Sequence, residues 1–434
     1  MNPSDTHILI AGAGIGGLAA ALALSRVGLR VTVLEQADAF GEVGAGVQLG
    51  PNAFGVLEGW GLREALWKVV NFPEVLQARD AATNRLLGEL PLGDTARRNY
   101  GFDYATIHRA DLHQVLLDAV RHQPQVSLHL NARINTISES EQAVQVTTSQ
   151  GDSYSADGLI GCDGLWSQVR KHVLGEQMPL ATGHVAWRAL LPLHVVPPEL
   201  QSERVTAWLA PRTHAIAYPV HRSQFLNLVV ITEDDQPAAT PNPQSWSRDA
   251  TGLSPLQVIR NMKIGAQMGI QTAYSLPDVL SNLLQKVTEP LGGGWTRWTL
   301  FDRAPMTSSV EMAHPDHPRI ALLGDAAHPM RPYLAQGAAM ALEDAQALAV
   351  GFAAAFSQGK NDFPAHIPTV LQQYAQKRWQ RAARVQARSR RSGTIFHMDG
   401  PLRWGRDAAL ALLGPSVMDL PWLYNHTSPV ESTF

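Results

Sequence analysis

The residues best placed to do chemistry begin near the N-terminus. Gly12-Ala-Gly14-Ile-Gly-Gly17 follows a short apolar run, His7 to Ala11, and precedes an Ala- and Leu-rich stretch from Leu18 to Val27. Glycines at these spacings suit a tight turn, a close approach of backbone to a pyrophosphate, and close packing of helix on strand. The helix start adds amide donors and a partial positive charge for phosphates. Glu35 closes the next apolar run about 20 residues on, where a carboxylate suits a ribose diol. This pattern specifies a dinucleotide and leaves FAD and NAD both open. A second nucleotide signal lies far along the chain, where Ala321-Leu-Leu-Gly-Asp325-Ala-Ala-His328 delivers an aspartate from an apolar strand and a helix follows near Gln336. Asp325 can hold a ribitol hydroxyl there, and the Gly337-Ala338 helix start can aim its positive end at a reduced flavin's negative pyrimidine. Proton chemistry needs a group that titrates near neutrality. Pro211-Arg-Thr-His214-Ala-Ile-Ala-Tyr218-Pro219 offers a histidine and a tyrosine spaced to share one face of a strand. With 16 histidines in the chain, chemistry by itself does not single out His214.

These positions need a framework. The segment from His7 to Leu34 reads as a βαβ opening, and Ala53 to Trp60 as a further helix. The parallel sheet must be completed from later segments. Runs of β-formers between 126 and 160 and between 184 and 232, such as Leu226 to Ile231, suggest a second, mainly β layer. Pro237, Pro241, Pro243 and Pro255, set among Ser, Thr and Asn, mark a surface loop between Asp234 and Pro255. From Gln336 the chain reads as helical, with a strongly basic helix from Gln372 to Arg391. Its Lys377, Arg378, Arg381, Arg384, Arg388, Arg390 and Arg391 are expected on a solvated face while Tyr374, Trp379 and Val385 pack inward. That reading displaces nucleic acid or an anionic lipid as the helix's partner.

Composition narrows the class. At 434 residues, 45% of them apolar, the chain is long enough for two or three domains with real cores. A net charge of −3 supplies no field that would draw it to nucleic acid or an anionic membrane. One cysteine, Cys162, rules out an intrachain disulfide or a multi-cysteine metal site and fits a reducing cytoplasm. The apolar stretch from Ile8 to Leu24 lacks a preceding basic residue and is broken by glycines, so it does not read as a signal peptide. No run reaches the roughly 18 apolar residues of a bilayer span. The expectation is a soluble cytoplasmic protein with a small-molecule partner and neither a nucleic-acid nor a membrane partner.

The glycine fingerprint, the segment Asp157-Gly-Leu-Ile-Gly-Cys-Asp163-Gly164-Leu-Trp-Ser167-Gln-Val-Arg170, and Gly324-Asp325, in this order, resemble the single-component FAD-dependent aromatic hydroxylases. The resemblance covers almost the whole chain. It implies a Rossmann-like α/β FAD-binding domain of p-hydroxybenzoate hydroxylase type, a β-rich substrate domain, and C-terminal helices. The boundaries expected are 1–72, 101–180 and 291–355 for the FAD-binding domain, 73–100 and 181–290 for the substrate domain, and 356–434 for the helical region. It also implies bound FAD, transient NADH or NADPH with NADH preferred, O2 as co-substrate, and oxygen transfer through a flavin C4a-hydroperoxide. Asp163 would serve FAD and the nicotinamide, Asp325 the ribitol, Gln336 to Ala338 the isoalloxazine, and Arg109, in His108-Arg109-Ala-Asp-Leu112, the FAD phosphates. The alternative weighed for Asp163 and Arg170 is a buried salt bridge shaping a turn.

Within that family the His-x-x-x-Tyr-Pro pattern, Tyr104 ahead of Arg109, and Tyr333-Leu-Ala-Gln-Gly-Ala338 resemble the 3-hydroxybenzoate 6-hydroxylases. That branch implies Tyr104, Gln48 and Tyr333 as substrate contacts, with His214 assisting phenol deprotonation beside Tyr218. The reaction implied is 3-hydroxybenzoate to 2,5-dihydroxybenzoate (gentisate). 6-Hydroxynicotinate 3-monooxygenase and salicylate hydroxylase are the alternatives, and Gln48, in Gly44-Ala-Gly-Val-Gln48-Leu-Gly-Pro51, favours the hydroxybenzoate. The chain departs from the branch at Trp298-Thr299-Leu300-Phe301-Asp302-Arg303, where Leu300 replaces a glutamine or histidine; Thr299 is the expected substitute. A catalytically inactive flavin-binding regulator and a peroxide-forming oxidase are the competing classes. A homodimer stays open. Neither Arg188, facing pocket, flavin or solvent, nor His328 is expected to transfer protons.

Overall fold

The computed structural model describes residues 5–41, 46–234, 247–249, 255–261, 278–287, 294–357 and 364–425. Its first layer is a five-stranded parallel sheet in the order Ile320–Leu322, Gly158–Gly161, His7–Ala11, Arg30–Leu34, Val126–His129. The central strand is buried between neighbours on both sides, which is why its sequence is a continuous apolar run with no alternation. The helix Ile15–Arg26 lies on one face of this sheet, flanked by Arg109–Arg121 and Gly337–Ser357. A three-stranded antiparallel sheet, Ile134–Glu139, Val144–Thr148 and Ser153–Ala156, leads into Gly158–Gly161. Two of the runs expected in a second β layer, Val126–His129 and Gly158–Gly161, therefore complete the parallel sheet instead. The second, Gly-Leu-Ile-Gly, is buried throughout, the pattern of an inner parallel strand.

The second layer is an eight-stranded sheet ordered Ser247–Asp249, Thr296–Asp302, Leu180–Pro192, Phe225–Glu233, Thr213–Val220, Arg204–Ala210, Val75–Asp80, Leu86–Pro91. All its pairings are antiparallel except that of Val75–Asp80 with Arg204–Ala210. Alternation gives the sheet two unlike faces. Val185, Trp187, Ala189, Ala215, Ala217, Leu228 and Val230 pack on one face against Leu256, Ile259, Leu283 and Leu284. The opposite face carries His184, Arg188, His214, Tyr218 and Trp298. The strand Thr296–Asp302, from the segment 291–355, belongs to this sheet. Within the expected surface loop, Ser247–Asp249 is an edge strand and Pro255 starts the helix Pro255–Asn261, whereas Pro237, Pro241 and Pro243 lie outside the described residues.

The basic helix runs Ile367–Phe396 and is more than a solvated face. Tyr374 and Val385 are buried as expected. Arg378, however, is buried too, donating from Nε to Asp344 (2.7 Å) and from Nη1 to Glu343 (2.8 Å), while Arg381 reaches Glu343 and Arg390 reaches Asp302. Arg390 ties the long helix to the strand Thr296–Asp302, and Arg378 and Arg381 clamp it onto Gly337–Ser357. That partner is the one helix among the described residues long and apolar enough to cross a membrane, and 67% of its apolar window is buried inside the protein. Gly393 then brings the end of the long helix against Tyr333, since a Cβ at Gly393 would stand 2.7 Å from the Tyr333 ring. Phe396 and His397 are delivered to the large sheet as a result.

Candidate active site

The N-terminal turn is built for a phosphate. Gly12 sits at φ +95°, and a Cβ there would meet the Cys162 carbonyl at 2.7 Å; a Cβ on Gly17 would lie 1.9 Å from the Gly12 carbonyl oxygen. Gly14 caps the helix Ile15–Arg26, whose first turn holds no acidic side chain to repel an anion, so its leading amides point out from the glycine turn. Glu35 is fixed at the edge of that turn, accepting from Ala13 N (2.7 Å) and Ala37 N (2.9 Å). His113 closes the other side through the Ala13 carbonyl at 2.8 Å.

The two distant aspartates take different positions. Asp325 is exposed in a 3₁₀ turn, its Oδ1 3.9 Å from where a Cβ on Gly337 would stand. It therefore borders the positive start of the helix Gly337–Ser357. Beside it the buried Gln336 accepts from Asn52 Nδ2 at 3.1 Å, and Ala338 is half-buried in the first helical turn. Asp163 is engaged as a cap. It accepts from Ser167 Oγ (2.5 Å) and from the amides of Gln168 (2.7 Å) and Val169 (3.1 Å), starting the helix Gln168–Leu174. Arg170 donates to the carbonyls of Leu165 and Ala326. The two residues thus shape the turn and tie it to the Asp325 segment through separate partners, not through a salt bridge to each other. Arg109 opens the helix Arg109–Arg121 and is near enough to Arg188 to depress its pKa. The donor set fits FAD: helix-start amides for its phosphates, and the Glu35 and Asp325 carboxylates for its sugar hydroxyls.

The candidate aromatic residues form two groups on one face of the large sheet. At one end Tyr104 Oη donates to Gln48 Oε1 at 2.5 Å, and Gln48 also hydrogen-bonds Tyr218. Burial raises the Tyr218 phenol, with Arg188 and Gln48 pulling the other way. Gly46 leaves room for this, because a Cβ there would be 2.5 Å from the Tyr218 ring; Gly44 and Ala45 of the same motif lie outside the described residues. Arg188, over the Trp298 ring at 5.0 Å, faces this group and not solvent; burial and then Arg109 lower its pKa to about 10.

At the other end His214 is buried, its ring 5.3 Å from those of Tyr333 and Phe396. Its Nδ1 is 2.8 Å from His397 Nε2, and His397 Nδ1 is 3.0 Å from Glu233 Oε1. Tyr333 Oη lies 2.7 Å from His184 Nδ1, and the His184 ring stacks on His397 at 5.2 Å. Burial holds His214 well below the ordinary histidine range, followed in effect by His397 and His184; burial, His397 and Arg331 bring His184 down to about 4. Donor atoms of His184, Glu233 and His397 fall within 4.8 Å of one another, and their hydrogen bonds to Tyr333, Arg212 and His214 account for that grouping without an ion.

Thr299 does not replace the missing polar residue. It pairs with Val185, which packs on the far face, whereas Leu300 lies with Ala186, Trp298 and Tyr333 on the near one. Polar groups on that side include His184, His214 and Tyr333. His328, as expected, is structural, fully buried with Nε2 2.6 Å from Asp344 Oδ2. Sequence reasoning missed His184, Glu233 and His397. The spacing of two from His184 through Ala186 to Arg188 carried a signal for the first; nothing local marked His397.

Similarity to known proteins extends along almost the whole chain. A family profile described as FAD binding domain matches residues 5–264 and 281–389. The chain is 35% identical over 421 residues to 3-hydroxybenzoate 6-hydroxylase 1 of Aquipseudomonas alcaligenes, covering 96% of this chain and 97% of that one. It is 32% identical over 382 residues to 6-hydroxynicotinate 3-monooxygenase of Bordetella bronchiseptica, covering 88% and 89%. A solved salicylate hydroxylase substrate complex superposes with a TM-score of 0.76 at 26% identity, covering 98% of this chain and 96% of that one.

Proposed function

Because the chain belongs to the FAD binding domain family and is an FAD-dependent aromatic monooxygenase, we propose that it converts 3-hydroxybenzoate to 2,5-dihydroxybenzoate. The observation that carries this is the arrangement of a neutral histidine and a half-buried arginine at opposite ends of one sheet face. His214 and Tyr218 are about 13 Å apart along their strand at about 3.3 Å per residue. Ile216, between them on the same face, offers the ring an apolar floor.

On this reading the carboxylate lies at Arg188 with Tyr218, Tyr104 and Gln48 around it, and the phenol lies at His214 and Tyr333. Held neutral by burial, His214 is ready to take the phenolic proton. The phenolate pushes electron density to the carbon para to it, which for a 3-hydroxy acid is C6. Bound FAD, reduced by NADH or NADPH, supplies activated oxygen from O2. Gly12, Gly14, Gly17 and Arg109 hold the phosphates, Glu35 the ribose, Asp325 the ribitol, and Gln336, Gly337 and Ala338 border the flavin ring, with Asp163 ordering the turn beside it. The same reading assigns 1–72, 101–180 and 291–355 to FAD, 73–100 and 181–290 to substrate, and 356–434 to the helical region, with the strand Thr296–Asp302 going to the substrate sheet. It also includes a cytoplasmic location, supported by the single cysteine, a free thiol.

The test is product analysis with purified holoenzyme, O2, a reduced nicotinamide, and a panel of 3-hydroxybenzoate, salicylate and 6-hydroxynicotinate. Gentisate formed in step with NADH oxidation is expected, and His214→Ala should slow it while FAD stays bound. Hydroxylation of another acid alone would overturn the substrate, peroxide without hydroxylated product would indicate an oxidase, and no stimulation by any acid would indicate a binding protein.

A further inference from the structure

Resting on the reading of His214 as the base, we propose that His397 and Glu233 continue it as a proton relay, so that the positive charge created when His214 takes the phenolic proton comes to rest on His397. Two remote parts of the chain build this line: the paired strands Thr213–Val220 and Phe225–Glu233, which carry His214 and Glu233, and the residue just after the long helix, His397. The members are fixed at their far end. Arg212 Nε donates to Glu233 Oε2 at 3.1 Å, and Arg212 N donates to the His397 carbonyl at 3.2 Å.

Glu233 determines the tautomers along the line. A carboxylate only accepts, so His397 Nδ1 carries the hydrogen that it donates to Glu233, and a neutral His397 then presents a bare Nε2. His214 must donate Nδ1–H to that Nε2, which leaves His214 Nε2 as the lone pair available to a substrate. When the phenol O–H bond breaks, its proton bonds to His214 Nε2, and the Nδ1–H proton passes to His397 Nε2. The oxygen keeps the electron pair, and nothing is oxidised or reduced. The positive charge finishes one ring further from the substrate, next to a carboxylate.

Burial lowers the His397 pKa and Glu233 opposes it, so the adjacent carboxylate is what favours the cation on that ring. Burial acts to raise Glu233, but its hydrogen bonds from His397 and Arg212 outweigh this and bring it down to about 2, so it is ionised at neutral pH. Among titratable groups His214 faces His397, His184 and the Tyr333 phenol. His397 faces Glu233 on one side and His184, Arg212 and Arg406 on others; Arg331 and Asp302 act on His184 behind it. The side chain of Glu233 is 31% exposed while that of His397 is 3% exposed, so the line leads from a sealed ring to water.

His397→Gln keeps a side chain able to hydrogen-bond both neighbours but unable to carry a proton, and Glu233→Gln keeps shape without charge. Both are positioning changes, read by the pH profile of kcat and by the absorbance of bound substrate as it converts from phenol to phenolate. The expected result for His397→Gln is normal FAD content, near-normal KM, and kcat about 100-fold lower at pH 7 that recovers as pH rises. Phenolate formation should shift to higher pH in both variants, less in Glu233→Gln. Wild-type pH profiles in both would overturn the relay, and if His397→Gln loses FAD, Glu233→Gln decides by the same readouts. If His214→Ala is also unaffected, the base reading fails; if it alone collapses, only the relay does.

Discussion

Replacing Arg188 by methionine should make the protein more stable and its substrate binding worse. The arginine is partly buried, touches the Trp298 ring and Tyr218's surroundings, and has no carboxylate partner among the described residues. Its pKa, brought by burial and Arg109 to about 10 from 12.5, measures the penalty on the cation. At 1.36 kcal/mol per tenfold, this is up to about 3 kcal/mol, reduced to about half where water reaches the guanidinium. Methionine fills similar volume without charge, so the substrate-free protein should gain roughly 1–2 kcal/mol. The carboxylate of the substrate loses its counter-charge in exchange, about 2–4 kcal/mol, which corresponds to a rise of about 30- to 1000-fold in KM with kcat changed less. Urea unfolding, FAD absorbance and coupled product formation on one sample measure all three quantities. Arg188→Lys should fall between, since it keeps the charge and loses the planar fork. An unchanged KM would refute the reasoning, as would loss of FAD with KM preserved, which would move Arg188 to the cofactor.

Acid should weaken the fold through the histidine cluster: an unfolded His184 takes its proton near 6.5 and the folded one at about 4, so the unfolded state binds more protons in that window and stability falls as pH drops through it. We expect about 1–2 kcal/mol from His184 after allowing for screening, and thermal melts should show a shallower pH slope in His184→Gln; an identical slope would show that the ring does not titrate there. Arg378→Met should destabilise by about 3–5 kcal/mol, because Glu343 and Asp344 keep their charges in the interior. An unmoved urea midpoint would mean that Arg381 and His328 suffice to compensate them.

Much of the cofactor site could be read locally because its determinants are local. A glycine that must hold φ +95° and another that leaves no room for a Cβ are constraints within a few residues, and Glu35 closes on the same turn. The pairing of His214 with Tyr218 on one face follows from strand geometry in the same way. Asp163 shows the limit of this kind of inference. Its motif was legible, but whether its carboxylate faces a ligand or caps the helix Gln168–Leu174 depends on where the backbone turns.

The rest was decided by register and packing between distant segments. Thr299 and Leu300 are adjacent, and which of them faces the site depends on the phase of their strand, fixed when Val185 and Trp187 bury against the far-side helices. Arg378 and Arg381 look alike in sequence to the exposed cations around them, and only the approach of Glu343 and Asp344 on another helix turns them inward. His397 stands 183 positions from His214 and reaches it because Gly393 lets the long helix close on Tyr333. Sequence by itself thus determined the βαβ nucleotide turn, its acidic partner and the face of the catalytic strand, all set by short-range sterics. Tertiary structure decided what surrounds His214, because desolvation and hydrogen-bond partners belong to a position in space and come from elements that share no sequence neighbourhood.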